Sequence, residues 1–266
     1  MLRDITLGQY FPGNSCIHKL DARIKIMATL LFIVELFIVD NFIGFLIAGI
    51  ALAIVISLSK VPVSFILRGL KPIMVILVFT FALNMFMVDG KILWQAGFLK
   101  ITQEGLEIAV FMAIRLILLL MGSSMLTLCT RPIALTDGIE KLLSPFAVIG
   151  LPAHDIAMMM TIALRFIPTL LEEADKIMKA QQARGADFES GNIMQRAKSL
   201  IPILVPLFVS SFRIAQDLAM AMEARCYRGG KNRTRMNEMK LRGNDYAAII
   251  LLIIFLAVII IETRIF

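Results

Sequence analysis

Two short patterns place an arginine where a long helix would end: Gln182-Ala183-Arg184-Gly185 and Glu223-Ala224-Arg225-Cys226. Alanine permits close approach of another backbone, arginine offers a planar, permanently charged fork to carboxylates or free carbonyls, and glycine can stop a helix. The chemistry open to such a pattern is recognition rather than bond-making. Its plainer use is C-terminal capping, where a cation complements the helix dipole by about 0.3 to 1 kcal/mol. Two copies about one helix-turn-helix apart suit a partner that presents the same groove twice, with each arginine held by acceptors in one groove.

Reactive constellations are missing elsewhere. The two histidines, His18 and His154, form no HExxH pattern and have no second nitrogen ligand nearby, so they read as loop or helix-end residues and the expected metal set is none. Glu172 and Glu173 are adjacent, and on a helix adjacent side chains point about 100° apart, which suits a polar face better than acid–base work. Cys16, Cys129 and Cys226 lack CxxC spacing and read as packing residues. A phosphate-cradling loop needs glycines before a Lys-Ser/Thr pair, and Gly90-Lys91 is followed by Ile92. No catalytic or cofactor-binding residue is expected, so if ATP drives this chain, another protein binds it.

The elements that carry these residues are hydrophobic. Of 266 residues, 59% are apolar and the mean hydropathy is +0.83, which places the chain in a lipid bilayer. The net charge of +7 sits in blocks flanking apolar runs, a pattern of cytoplasmic loops rather than of nucleic-acid binding. The stretch 24–58 would be about 50 Å long as one helix against a hydrocarbon core of about 30 Å. Asp40-Asn41 divides it into spans of about 24–39 and 42–58. A basic segment with Pro62 and Pro72, Lys60 to Lys71, reads as interfacial, and a third span covers about 73–88. An external loop with Trp94 as a headgroup anchor leads to a fourth span, about 105–128. That span carries Arg115, expected to be satisfied inside the bundle, with a transport site as the alternative. Residues 246–262 form the last span.

Between them, charges punctuate a helical repeat. Ile156, Met159, Met160, Ala163, Ile167 and Leu170 recur every three or four residues, interrupted by Arg165, Glu172, Glu173 and Lys176. A second helix, about 195–226, starts apolar around Pro202 and Pro206 and then admits Arg213, Asp217 and Glu223. Arg225, Arg228, Lys231, Arg233, Arg235, Lys240 and Arg242 follow as a basic linker. The expected fold class is an all-α polytopic membrane protein with about five transmembrane helices plus long amphipathic cytoplasmic coupling helices. Residues 1–130 hold transmembrane helices 1–4, 131–245 a cytoplasmic coupling domain with two long amphipathic helices, and 246–266 the final transmembrane helix. The positive-inside rule puts the N-terminus and the coupling domain in the cytoplasm of a multi-pass cell-membrane protein. No cleaved signal peptide is apparent.

Two stretches resemble the T-component family of energy-coupling factor transporters, and the resemblance spans nearly the whole chain. One is Gly8-Gln9-Tyr10-Phe11-Pro12-Gly13-Asn14-Ser15 with His18-Lys19-Leu20-Asp21-Ala22-Arg23 and Lys25. The other runs from Leu164-Arg165-Phe166-Ile167-Pro168 to Ala183-Arg184-Gly185-Ala186-Asp187-Phe188. The resemblance implies that Ala183, Arg184, Gly185 and Ala224, Arg225 dock on two cytosolic ABC-type ATPase subunits, which supply ATP and Mg. Cys226 stands where the family more generally has glycine. The resemblance further implies that the long helices cradle a substrate-binding membrane S component, one or several interchangeable ones, for vitamin or micronutrient uptake. Met158, Met159, Met160, Met194, Met220 and Met222 suit such an adaptable surface. The expected role is a non-catalytic coupling subunit. The alternative is a stand-alone secondary carrier with Arg115 and Glu35 as buried charges. A membrane-embedded enzyme would require a clustered acidic or histidine site at one membrane face, which the sequence lacks.

Overall fold

The structure is a computed structural model that describes residues 10–96, 99–188, 192–229 and 241–265. Gly8 and Gln9 of the opening stretch, and Lys231, Arg233, Arg235 and Lys240 of the basic linker, lie outside the described residues, as does the side-chain placement expected of Trp94. The chain divides into two compact units. One is built from residues 10–142 and 241–265, the other from residues 143–229, within the described residues.

The first unit is a helix bundle. A short turn of helix, α1 (Cys16–Lys19), precedes α2 (Ala22–Ile38) and α3 (Phe42–Ser59). Asp21 starts α2 by accepting the Arg23 amide at 3.0 Å, which satisfies one of the free donors of the first turn. The break falls at Val39-Asp40-Asn41, where the polar pair was expected to divide the apolar stretch. Lys60 ends α3 in the left-handed conformation. Next come α4 (Val63–Leu70) and α5 (Met74–Met87), which are bent by 61° relative to each other. The segment between Pro62 and Pro72 is thus an amphipathic helix that buries Ile66 and Leu70.

The loop expected before the fourth span contains an antiparallel hairpin, β1 (Ile92–Ala96) and β2 (Leu99–Thr102), with Ile92 opposite Thr102 and Trp94 opposite Ile101. Loop polarity had masked the β-forming Ile, Trp and Thr residues. Buried Thr102 then starts α6 (Gln103–Cys129): its hydroxyl accepts the Gly105 amide at 3.1 Å and donates to the Val88 carbonyl at 2.7 Å. Helix α6 is the hub of the bundle and packs on α2, α3, α4 and α5. Its C-terminal end shares a core of Leu52, Val61, Ile66, Met125, Leu128 and Cys129. A second core joins Leu36, Val39, Phe45, Ala48 and Ile259. Helix α7 (Pro132–Leu143) brings Gly138 against Ala22, and α11 (Gly243–Ile265) packs on α2 and α3.

The second unit comprises a 3-10 turn at Ser144–Ile149, α8 (Ala153–Ala183), α9 (Ile193–Ser199) and α10 (Ile201–Ala224). Asn192 and Gln195 close a reciprocal capping box at the start of α9. Among the described residues, five helices are long and apolar enough to cross a membrane, namely α3, α6, α8, α10 and α11, with α4 and α5 together making a sixth candidate. The all-α polytopic class and the number five agree with expectation, but the membership differs. Helix α2 has 17 residues, about 25 Å, and so stops just short of a full crossing. Helices α8 and α10 qualify because their charges cluster and leave long apolar windows.

Candidate functional site

Both arginine patterns end their helices by one backbone device. Ala183 is the last helical residue of α8 and Arg184 the cap. The Gly185 amide donates to the Gln182 carbonyl at 2.9 Å and the Ala186 amide to Gln181 at 3.0 Å. Gly185 has φ +90°. This pair of reverse hydrogen bonds around a left-handed residue is the Schellman closure. At the end of α10 the same bonds recur: the Cys226 amide donates to Glu223 at 2.8 Å and the Tyr227 amide to Met222 at 3.0 Å, with Arg225 at the cap. Cys226 adopts φ +53°. A β-carbon in that region costs roughly 1 to 2 kcal/mol, a cost glycine avoids.

Neither guanidinium takes part in the closure. Arg184 and Arg225 are exposed, and no ion pair or side-chain hydrogen bond engages either of them among the described residues. Backbone amides already satisfy the last carbonyls, so the capping expected of the arginines themselves is not where their side chains are used. Ala183, Gly185, Ala224 and Cys226 are exposed as well, so each helix end is a low-relief knob with one long cation.

The two ends are held apart by the way α8 and α10 pack. Near the end of α8, the Gln181 amide nitrogen donates to the carbonyl of Pro202, near the start of α10, at 3.4 Å. At the opposite end, the Tyr227 hydroxyl after α10 donates to the Met158 sulfur at 2.9 Å and lies 3.5 Å from His154 Nε2, both in the first turns of α8. The helices therefore run antiparallel, and the arginines mark opposite ends of one hairpin. Their separation is on the order of the 24-residue length of α10, about 36 Å.

The surface between them is apolar and open. Met159, Met160 and Met220 are exposed on α8 and α10, as is Met194 on α9, whereas Met158 and Met222 are half-buried. Leu204, Val205, Phe208 and Phe212 add an exposed apolar stripe along α10. Glu172 is exposed and Glu173 half-buried, while Asp175 pairs with Lys179 at 3.2 Å one turn on, so this face is a solvated charge strip.

The charges weighed for a central transport site are placed differently. The Arg115 Nη2 donates to the Val39 carbonyl at 2.7 Å and to Asp40 Oδ1 at 3.1 Å, and the guanidinium stands 5.5 Å over the Phe45 ring. Its Nη2 is met by groups of the bundle, as expected, while its buried Nε has no hydrogen-bond partner among the described residues. Glu35 is buried on α2, and its carboxylate has no hydrogen-bond partner among the described residues. Of the cysteines, only Cys129 is a packing residue. Cys16 and Cys226 are exposed, which corrects the expectation for both, because each lies at a short turn or helix end rather than on a packed face.

Sequence reasoning did not foresee what the opening stretch builds. The Lys25 ammonium, buried, donates to the carbonyls of His18 at 3.1 Å and Cys129 at 2.9 Å. His18 Nε2 donates to the Phe11 carbonyl at 3.0 Å, a carbonyl being able only to accept, and Nδ1 receives the Ser15 hydroxyl at 2.7 Å. Gly13 lies against that ring: a β-carbon there would sit 2.8 Å from His18 Cε1. The Phe11 amide donates to Leu128 at 2.9 Å. Asp245, buried, accepts the amides of Asp21 at 2.9 Å and Arg242 at 2.7 Å, tying α11 to the start of α2. The signal was the density of polar residues in a stretch adjoining an apolar span.

The family model for the cobalt transport protein CbiQ matches residues 13–236, which include both arginine patterns. The energy-coupling factor transporter transmembrane protein EcfT of Thermosediminibacter oceani is 58% identical over 249 residues, 94% of each chain. The protein of that name from Clostridium kluyveri is 59% identical over 250 residues, 93% of each chain, and that of Bacillus subtilis is 45% identical over 260 residues, 97% of this chain and 98% of its own. With identity sustained across almost the whole length and with helices fit to cross a bilayer several times, the chain belongs to the EcfT family, the multi-pass transmembrane component of energy-coupling factor transporters.

Proposed function

We propose that this chain couples two cytosolic ABC-type ATPases to a membrane-embedded S component during vitamin or micronutrient uptake, and that it performs no catalysis itself. The observation that carries the reading is the pair of equivalent helix ends, each with an outward arginine, at opposite ends of one antiparallel hairpin. A dimer of related ATPases presents two like grooves, one for each end. Arg184 and Arg225 are the anchors, Ala183 and Ala224 allow close approach, and Gly185 and Cys226 turn the chain away. ATP and Mg belong to the partners. Closure of the dimer on ATP binding would move α8 and α10 together with whatever packs on their apolar faces. The exposed methionines and the Phe208–Phe212 stripe suit an S component, or several interchangeable ones, since methionine repacks against different partners.

In this arrangement the N-terminus and the unit bearing α8 and α10 are on the cytoplasmic side, and the two helices, though long and apolar enough to cross, lie along the membrane instead of through it; the basic residues Arg225, Arg228 and Arg242 among those described support that side. The division into helices 1–4 at 1–130, a coupling domain at 131–245 and a last span at 246–266 is the working domain scheme. Reconstitution tests the reading. Proteoliposomes holding this chain, both ATPases and an S component should take up vitamin only with ATP, and proteoliposomes holding this chain alone should take up none. Uptake by the chain alone would instead establish a secondary carrier.

A further inference from the structure

Where α2 begins and α6 ends, the bundle forms a half-open cavity of about 280 Å³ whose chemistry the coupling role does not use. Three cations line it: Lys19 and Arg131, both exposed, and the buried Lys25. No aspartate or glutamate among the described residues lines it. Asp21 and Asp245 act on Lys25 from outside the lining, and their carboxylates bond Arg23 and backbone amides respectively. Two of the three Lys25 donors go to the carbonyls of His18 and Cys129, which leaves one among the described residues. Arg131 lies 5.7 Å over the Tyr10 ring, which fixes the guanidinium beside the opening. Thr130, 5% exposed, also lines the cavity, and its hydroxyl has no hydrogen-bond partner among the described residues. A buried hydroxyl without a partner costs about as much as a lost hydrogen bond, so its retention beside three cations points to an acceptor that is bound there.

We propose that this cavity binds the phosphate of an anionic phospholipid headgroup. A phosphate supplies what the lining lacks: negative charge for Lys19, Lys25 and Arg131, and acceptor oxygens for the Thr130 hydroxyl and the remaining Lys25 donor. The location selects lipid over a free anion. Within the two turns of α2 after Lys25, Met27 and Leu30 are exposed apolar residues, a pattern that suits a helix entering hydrocarbon and would put the cavity beside the headgroups. Basic pockets between membrane helices on the basic side of a protein are suited to such headgroups.

The test uses the full-length purified chain in nonionic detergent, with thermal melting followed as phosphatidylglycerol, phosphatidylcholine or inorganic phosphate is added. Phosphatidylglycerol should raise the melting temperature, and phosphatidylcholine and inorganic phosphate should not. The double variant Lys19→Gln/Arg131→Gln should weaken the phosphatidylglycerol effect about thirtyfold in concentration, the factor expected for two surface cations facing an anionic headgroup. The control Arg68→Gln/Lys71→Gln, outside the cavity, should leave it unchanged, and Arg131→Lys should retain it. Thr130→Val should raise the melting temperature without lipid and reduce the shift that lipid produces. An undiminished lipid effect in the folded double variant would overturn the site, and equal stabilisation by inorganic phosphate would overturn the lipid as its source.

Discussion

The bundle and the hairpin unit use charge in opposite ways. In the bundle, Lys25, Asp245 and Arg115 are turned inward and each meets named acceptors or donors from a distant part of the chain. In the hairpin unit, the arginines at the helix ends are exposed, Asp175 and Lys179 form an i,i+4 surface pair, and the wide apolar stripe on α10 stays open. In one unit the charges of Lys25, Asp245 and Arg115 are met by its own chain. The other leaves its helix-end charges outward, and on the proposed function those ends are where partners bind; exposed apolar area is common to both units and does not separate them. The same side-chain type should therefore matter to stability in the first and to association in the second.

The largest expected effect is in the bundle. Lys25→Met leaves the His18 and Cys129 carbonyls without their donor and should cost about 2 to 4 kcal/mol of stability, read as a lower melting temperature in detergent. An unchanged melting temperature would erase the contrast between the units. Gly13→Ala, which drives a β-carbon into the His18 ring, should cost about 1 to 2 kcal/mol by the same measurement, because the ring is held by bonds at both nitrogens.

In the hairpin unit the expected stability effects are smaller. Cys226→Gly should stabilise by up to about 1 kcal/mol, since glycine adopts positive φ without a β-carbon clash, while association with the ATPases is retained. Destabilisation would mean that the thiol makes a contact of its own. Arg184→Gln and Arg225→Gln should each change stability by less than about 0.5 kcal/mol, because the backbone closure does not involve the guanidinium.

Acid should sharpen the contrast further. The Arg23 guanidinium bonded to Asp21 holds that carboxyl below its ordinary value of 3.8. A carboxylate with a depressed folded-state value contributes stability above its unfolded value and loses it as pH falls through the folded value. The melting temperature of the wild type should fall across that acid window more than that of Asp21→Asn, and parallel curves would show that the Asp21–Arg23 pair does not contribute to the bundle's stability.

Much of this organisation was legible in the sequence, for different physical reasons in each region. Asp40-Asn41 interrupts an apolar run too long for one crossing, and the chain breaks there. The helix ends at Arg184 and Arg225 could be placed because glycine and a small polar residue follow a long periodic segment. Local pattern could not show that Lys25 reaches the carbonyl of Cys129, 104 residues away, or that α8 and α10 run antiparallel so that the arginines stand at opposite ends. Such facts depend on which faces pack. The hairpin at Ile92–Thr102 was missed because charged and polar neighbours disguise a few β-forming residues. The placement of α8 and α10 among the membrane-competent helices was obscured by counting charges without asking how they cluster.

The most direct measurement is co-purification of the two ATPases with this chain from membranes, comparing the wild type with Arg184→Glu, Arg225→Glu and the double variant, each shown to be folded and inserted. Each single reversal should weaken association, and the double variant should lose both ATPases while its melting temperature stays near that of the wild type. Retention of both ATPases by the folded double variant would contradict the account, and would return the two arginines to the status of ordinary helix-end cations.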